Sequence, residues 1–117
     1  MRKLVCLVFL FCSPALMASK CETLREIYVE NAQTKVWKTT ICPHHKLPFH
    51  NHQYARIVIP EENGILQVIY RSGKKQILKL QKQTPIYLSA AEGKESHQDL
   101  NLGNKPVQVT VIELRKG

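Results

Sequence analysis

The sequence predicts an all-β fold, either an antiparallel sandwich or a barrel. Several short runs rich in β-branched and aromatic residues alternate between apolar and polar positions, as strands with one buried face do. Glycine, proline and asparagine separate these runs at regular intervals, which is typical of antiparallel sheets. No window shows the sustained periodicity of an amphipathic helix. The 117 residues allow one domain and not two.

The first segment differs from the rest and is interpreted as a signal peptide over residues 1–18. Two basic residues precede an apolar stretch, residues 4–11, that is too short to cross a bilayer, and small residues follow it. We expect cleavage after Ala18, which leaves a single domain over residues 19–117 with no membrane anchor. The protein is then expected to be periplasmic or secreted.

The expectation of export determines how the cysteines are interpreted. Cleavage removes two of them and leaves Cys21 and Cys42 as a pair in an oxidising compartment, where we expect a disulfide. The alternative is that Cys42 joins His44 and His45 in a thiolate–imidazole metal site. No second ligand cluster has the spacing of a zinc site, which makes this alternative the weaker one.

The charge pattern argues against nucleic acid as a partner. The formal net charge is +8, but outside the signal peptide the only adjacent positive pairs are residues 74–75 and 115–116. No aromatic residues interleave with the basic ones to form a stacking platform. We expect a generic solvated surface, attracted at most to anionic envelope polymers. A small-molecule ligand is the expected partner, and a homodimer is left open.

Six runs are predicted as strands, and residues 24–30 as either a helical turn or a strand. Asn63-Gly64 between two of the runs is a strong hairpin signal. Residues 89–96 are predicted as a polar loop with His97 at its end. The six strands are predicted at residues 35–41, 55–59, 65–70, 76–80, 86–88 and 107–114.

A pair of histidines stands just before the second of these strands. His50 and His52 are two residues apart, and in an extended chain such side chains point to the same face. Two imidazoles so placed can bind one small ion if a third group comes from elsewhere, and His97 is the only later histidine. By the same alternation, Tyr54 and Arg56 are expected on the face of the histidine pair.

With these residues the sequence resembles the cupin superfamily, in particular small single-domain bacterial cupins. The likeness extends over about residues 35–114, and it implies a double-stranded β-helix, or jelly-roll barrel. Each of the two cupin motifs is a weak signal alone, but both occur in the expected order at one-domain spacing. The matching residues are His50, His52 and Gly64 in the first motif, and Gly93, His97 and Asn101 in the second.

Both motifs depart from the family pattern. His44 stands where the first motif has a glycine, so that turn must be built differently. The family's glutamate would fall at Arg56 or Ile57, and neither is a metal ligand, since arginine stays protonated. The second motif lacks a proline before Gly93 and has one extra residue between Gly93 and His97. The family's three-histidine set is therefore expected here without its glutamate.

The resemblance implies a divalent transition metal bound by His50, His52 and His97. Neutral imidazoles suit Fe, Cu, Ni or Zn, and the sequence does not choose among them. Three such ligands leave positions on the ion open to another molecule. The alternative for the same residues is a polar lining of a pocket without metal.

Two residues are candidates for binding a substrate or other ligand. Tyr54 and Arg56 are expected inside the barrel, where a guanidinium would hold an anionic small molecule through paired hydrogen bonds. A salt bridge from Arg56 to Glu95 or Asp99 is the equally weighted alternative.

Two classes of function follow. The first is a metalloenzyme of the cupin type that acts on a small organic acid, and the second is a non-catalytic, metal-free module that binds a small ligand. No general base stands out, because the glutamate is missing and Glu92, Glu95 and Asp99 belong to predicted loop regions. Catalytic residues and enzymatic activity are therefore left unassigned.

Overall fold

The computed structural model describes residues 20–115, so the predicted signal peptide, residues 1–18, lies outside the described residues. Eight strands and one turn of 3-10 helix, Ala91–Gly93, make up the regular structure of this part of the chain. Within it, no helix is long and apolar enough to cross a membrane. The strands are β1 (Leu24–Glu30), β2 (Thr34–Ile41), β3 (Ala55–Pro60), β4 (Gly64–Tyr70), β5 (Lys75–Leu80), β6 (Ile86–Leu88), β7 (His97–Asn101) and β8 (Val107–Leu114).

The strands form two antiparallel sheets. The larger sheet has the order β1-β2-β8-β3-β6, and the smaller has the order β5-β4-β7. Two isolated bridges extend the smaller sheet beyond β7, with Lys46 opposite Leu100 and His50 opposite His97. The all-β jelly roll predicted from the sequence is confirmed.

Apolar side chains between the two sheets form the core. On β8 the predicted alternation is observed, because Val107, Val109 and Val111 are buried while the residues between them are half-buried. Four other strands contribute buried side chains in the same way. These are Trp37 and Ile41 on β2, Val58 on β3, Leu66 on β4 and Leu80 on β5.

The predicted disulfide joins the segment before β1 to the residue after β2. Cys21 and Cys42 are bonded, and their Cα atoms lie 5.8 Å apart, within the usual range. The disulfide excludes Cys42 as a thiolate ligand, so the alternative metal site with His44 and His45 is wrong. His45 instead contacts the Thr23 hydroxyl through Nδ1 at 3.0 Å.

The turn after β2 has a glycine-like conformation without a glycine. His44 adopts a φ of 64°, in the left-handed region that favours glycine because it has no Cβ. The N–H of His44 donates to the Asn101 carbonyl at 2.9 Å, and the N–H of His45 donates to the Cys42 carbonyl at 3.0 Å. These bonds hold the chain in this conformation, so it can run from β2 towards the histidine pair.

Two local features differ from the sequence prediction. His97 was expected at the end of a loop and no strand was predicted over residues 97–101 from the residue pattern, but these residues form β7, which pairs with β4 along its length. His50 and His52 precede β3 rather than lying in a continuous strand with it. Strand alternation through residues 50–56 is interrupted by a bend at residues 53–54, which changes the expected position of Tyr54.

Candidate metal centre

Three imidazoles meet in the space between the two sheets. The candidate ligand nitrogens of His50, His52 and His97 all lie within 4.8 Å of one another. The ring centroids are 5.1, 4.5 and 5.5 Å apart for the three pairs. His97 is buried and the other two are half-buried. The structure therefore brings together the three histidines predicted as ligands.

Backbone pairing places the rings. The N–H of His50 donates to the His97 carbonyl at 2.9 Å, and the N–H of His97 donates to the His50 carbonyl at 2.8 Å. Residues that exchange both bonds are directly opposite in an antiparallel ladder, so their side chains lie side by side. The N–H of His52 donates to the Gly93 carbonyl at 2.8 Å and fixes the third ring. The cross-strand bridge, which the sequence did not reveal, is therefore what unites the site.

Gly93 allows the close approach of two side chains of the site. A Cβ at this position would lie 2.7 Å from the Cβ of His52 and 2.9 Å from Nη1 of Arg56. Real Cβ atoms do not tolerate such distances, so only glycine fits without displacement. The glycine matched to the second cupin motif thus has a steric role in this chain.

Two of the histidines are oriented by backbone carbonyls. Nδ1 of His50 donates to the Pro48 carbonyl at 2.8 Å, and Nδ1 of His97 donates to the Glu95 carbonyl at 2.9 Å. Because a carbonyl only accepts, each Nδ1 carries a proton and each Nε2 is the remaining ligand atom. Metal-binding histidines in proteins are typically held in this way.

His52 is kept neutral by its surroundings. Burial, the Arg56 guanidinium and the other two imidazoles lower the pKa of His52 to about 3. A neutral imidazole keeps a lone pair available at neutral pH, as metal ligation requires.

Asp99 is a functional candidate that the sequence analysis left in a loop. Its Oδ2 lies 3.3 Å from Nε2 of His50. Burial acts to lower the pKa of His50, but Asp99 and the Pro48 carbonyl outweigh burial and raise it. Asp99 is two residues after His97 on β7, so both side chains share the inward face. The histidine–aspartate spacing of two was the signal that would have placed it.

Arg56 is buried without a partner for one of its nitrogens. It is 7% exposed on β3, and Nη1 has no hydrogen-bond partner among the described residues. Within residues 20–115 no salt bridge joins it to Glu95 or Asp99. Burial lowers the pKa of Arg56, although nearby carboxylates, Asp99 first, oppose the shift. An unpaired buried donor is costly, so this cation is suited to an anionic ligand.

Tyr54 does not share the cavity of Arg56, contrary to the prediction. Its ring lies under the Arg115 guanidinium, 5.4 Å from ring centroid to Cζ. It lines a separate cavity of about 250 Å³ that also borders His50 and His52. The bend at residues 53–54 turns the side chain away from the inward face.

Arg56 and the three histidines line a larger cavity, of about 660 Å³, between the sheets. Its other polar lining includes Asp99, Glu92 and Glu95, and most of the remaining wall is aliphatic. The site can therefore bind a small molecule of appreciable size beside the imidazoles.

The chain has the double-stranded β-helix fold that is also found in cupins. No protein-family model matches the sequence, and no curated protein is detectably similar to it. A cupin domain from Bordetella pertussis Tohama I is similar with a TM-score of 0.72 and 16% identity, over 85% of this chain and 99% of that one. An RmlC-like cupin family protein from Methanocaldococcus jannaschii gives 0.63 and 11%, over 80% and 81%.

A further structural neighbour is an enzyme with a named activity. An oxalate oxidase, solved in complex with the substrate analogue glycolate, has a TM-score of 0.52 and 11% identity. The match covers 73% of this chain and 43% of that one. At these identities the likeness establishes the shared fold.

Proposed function

We propose that this protein is an exported cupin that binds a divalent transition metal through His50, His52 and His97 and acts on a small organic acid. The observation that carries the proposal is the convergence of the three imidazoles within 4.8 Å. Two of them are oriented by carbonyls, which leaves Nε2 as the candidate ligand atom, and Nε2 of His50 also contacts Asp99.

The donor set fits a first-row metal. Imidazoles suit Fe, Cu, Ni and Zn, and two nitrogens bound to one ion at ~2.1 Å are at most ~4.2 Å apart. The nitrogens span up to 4.8 Å, so binding would draw the rings slightly together. Three neutral imidazoles bring no negative charge, and the Asp99 carboxylate beside His50 supplies it.

The residues around the imidazoles suit an acid as ligand. When bound, a divalent ion acts as a Lewis acid that polarises an oxygen of its ligand. Arg56 binds and orients a carboxylate through Nη1, the nitrogen that lacks a partner among the described residues. Asp99 places a carboxylate next to the site, with Oδ2 3.3 Å from Nε2 of His50. The oxalate oxidase with its bound glycolate supports an acid substrate by analogy of fold.

Export is supported by the disulfide. Disulfides such as Cys21–Cys42 are stable in oxidising compartments and rare in the cytosol of mesophiles. Together with the signal-like composition of residues 1–18, this favours the periplasm or secretion.

A metal-free binding module is the second candidate. The observation in its favour is Arg56, a buried cation in the cavity wall at one of the two positions where the family's glutamate would fall. A positive charge there repels a cation among the imidazoles. It attracts an anionic ligand whether or not a metal is bound.

Elemental analysis of the purified protein distinguishes the two candidates. We expect about one transition metal per chain in the wild type and almost none in His52→Ala. Asp99→Asn should lower metal affinity, because it removes the negative charge that lies beside Nε2 of His50. His45→Ala is the matched control, because this exposed histidine lies outside the site. Equal metal content in wild type and His52→Ala would reject the metal centre.

A further inference from the structure

A large cavity reaches into the core of the barrel. A cavity of about 660 Å³ lies between the sheets, and seven of the eight buried residues of the apolar core line it. Native interiors otherwise contain few voids larger than a water molecule. Ligand pockets in proteins have volumes of about 300–1,000 Å³ and walls that are mostly apolar. This cavity therefore has the size and the lining of a ligand site.

The smaller sheet gives the cavity a polar end and an apolar end. Tyr70 pairs with His97 at one end of β4, next to the other imidazoles. Four residues earlier, Leu66 pairs with Leu78 of β5, and both line the cavity. The inward face of this sheet thus changes from imidazole to aliphatic over about 13 Å of strand.

The larger sheet has the same gradient. Arg56 lies inward on β3, and Val58, the next inward residue, pairs with Val111 of β8. Val111 pairs in turn with Trp37 of β2. The guanidinium and the imidazoles therefore lie at the same end, since Gly93 approaches both His52 and Arg56.

Arg56 is the buried cation among the described residues that line this end of the cavity. Its side chain is more than nine-tenths buried, and Nη1 is unpaired among the described residues. The carboxylates of the wall are already engaged by other groups. Glu92 accepts from Ser89, Glu95 accepts from the N–H of Ser72, and Asp99 contacts His50.

We propose that the acid bound here is amphipathic, a monocarboxylic acid with an alkyl or aryl body. Its carboxylate accepts a hydrogen bond from Arg56 Nη1 beside the three histidines, and its apolar body lies along Leu66, Leu78 and Val111. A short, fully polar acid would leave the aliphatic wall uncovered, so chain length is the distinguishing property. This inference rests on the proposed function, because it specifies the substrate class of the same site.

Trp37 provides a direct readout of the apolar body. It is the single tryptophan of the sequence, and it is buried in the cavity wall. We would titrate acetate, butyrate, hexanoate and octanoate into full-length mature protein and follow tryptophan fluorescence. We expect affinity to rise by up to about fourfold per methylene, the value for complete burial of each group. Equal affinity for acetate and octanoate would overturn the inference.

Variants then test the carboxylate end. Arg56→Met keeps the apolar stem and removes the charge, so octanoate should bind about 10–100-fold more weakly, whereas neutral 1-octanol should be little affected. Lys79→Met is the matched control, because Lys79 is exposed on β5 between Leu78 and Leu80 and does not line the cavity. An equal loss of octanoate affinity in Arg56→Met and Lys79→Met would contradict a role for Arg56.

The same titrations on chelated and on Zn-loaded protein separate this inference from the metal proposal. Chain-length dependence without any metal retention would reject the metal centre and keep the amphipathic site. Metal retention that depends on His52, with no chain-length dependence, would keep the metal centre and reject the amphipathic acid.

Discussion

At the scale of single residues, Arg56 affects the pKa of a neighbouring imidazole. The guanidinium lies close to His52, since Gly93 approaches both side chains, and it helps to lower the pKa of His52 to about 3. Because the His52 imidazole takes up a proton more readily in the unfolded chain than in the folded one, acid favours unfolding. Stability is therefore fully present above pH 6.5, the ordinary pKa of histidine, and is lost as the pH falls from 6.5 towards 3.

We expect this effect to appear in chelated, metal-free protein. The melting temperature of the wild type should fall more steeply between pH 7 and pH 4 than that of His52→Asn, which cannot be protonated. His50 has a raised pKa, so its contribution is present at low pH and is lost as the pH rises through its folded value. Because both proteins keep His50, the difference between the two curves isolates His52. Parallel curves would contradict the neutral state of His52.

At the scale of single elements, the 3-10 turn Ala91–Gly93 is the support of the site. Its Gly93 carbonyl accepts from His52, and the absence of a side chain leaves room for His52 and Arg56. Alanine is normally favoured over glycine where the backbone permits both. Here steric crowding acts against it, since the added Cβ would overlap two atoms of the site.

Gly93→Ala should therefore destabilise the protein by about 1–3 kcal/mol, the usual cost of overpacking, and should reduce metal retention by displacing His52. Chemical denaturation gives the first quantity and elemental analysis the second. Gly103→Ala is a suitable control, because its Cβ would lie 3.4 Å from the nearest atom, Oδ1 of Asn101, and so would not overlap it. If Gly93→Ala is as stable as the control, the steric role of Gly93 is refuted.

The elements also show which parts of the structure could be predicted from the sequence. β8 was predicted because three valines alternate with polar residues, and the alternation follows directly from one buried face. The residue pattern did not predict β7, because HQDLN has no β-branched residue, and the segment is a strand through its pairing with β4. Such pairing is a tertiary effect that local propensity does not contain.

Only part of the candidate site could be predicted, because its assembly also depends on tertiary pairing. The histidines were found from their spacing and from the cupin likeness, but the bridge that joins His50 to His97 depends on the fold. The bend at residues 53–54 removed Tyr54 from the cavity, and β7 brought Asp99 into it. Neither change is visible in the alternation of apolar and polar residues.

For the whole molecule, the cavity between the sheets occupies space that packed side chains would otherwise fill, so covalent support matters more. β1 is an edge strand with exposed Ile27, Tyr28 and Val29, and it buries little apolar surface of its own. The Cys21–Cys42 disulfide closes the β1–β2 hairpin at its open end, over a sequence separation of 21 residues. Its main effect is to restrict the unfolded chain.

Removal of the disulfide should lower the free energy of unfolding by about 3 kcal/mol, as expected for a loop of this length. Cys21→Ser combined with Cys42→Ala suits the test, because Cys21 is exposed and Cys42 is buried. The double variant should unfold at lower denaturant concentration and bind metal as the wild type does while folded, since the histidines lie on other segments. Wild type in reductant should match it. An unchanged midpoint would mean that packing alone holds β1 in place.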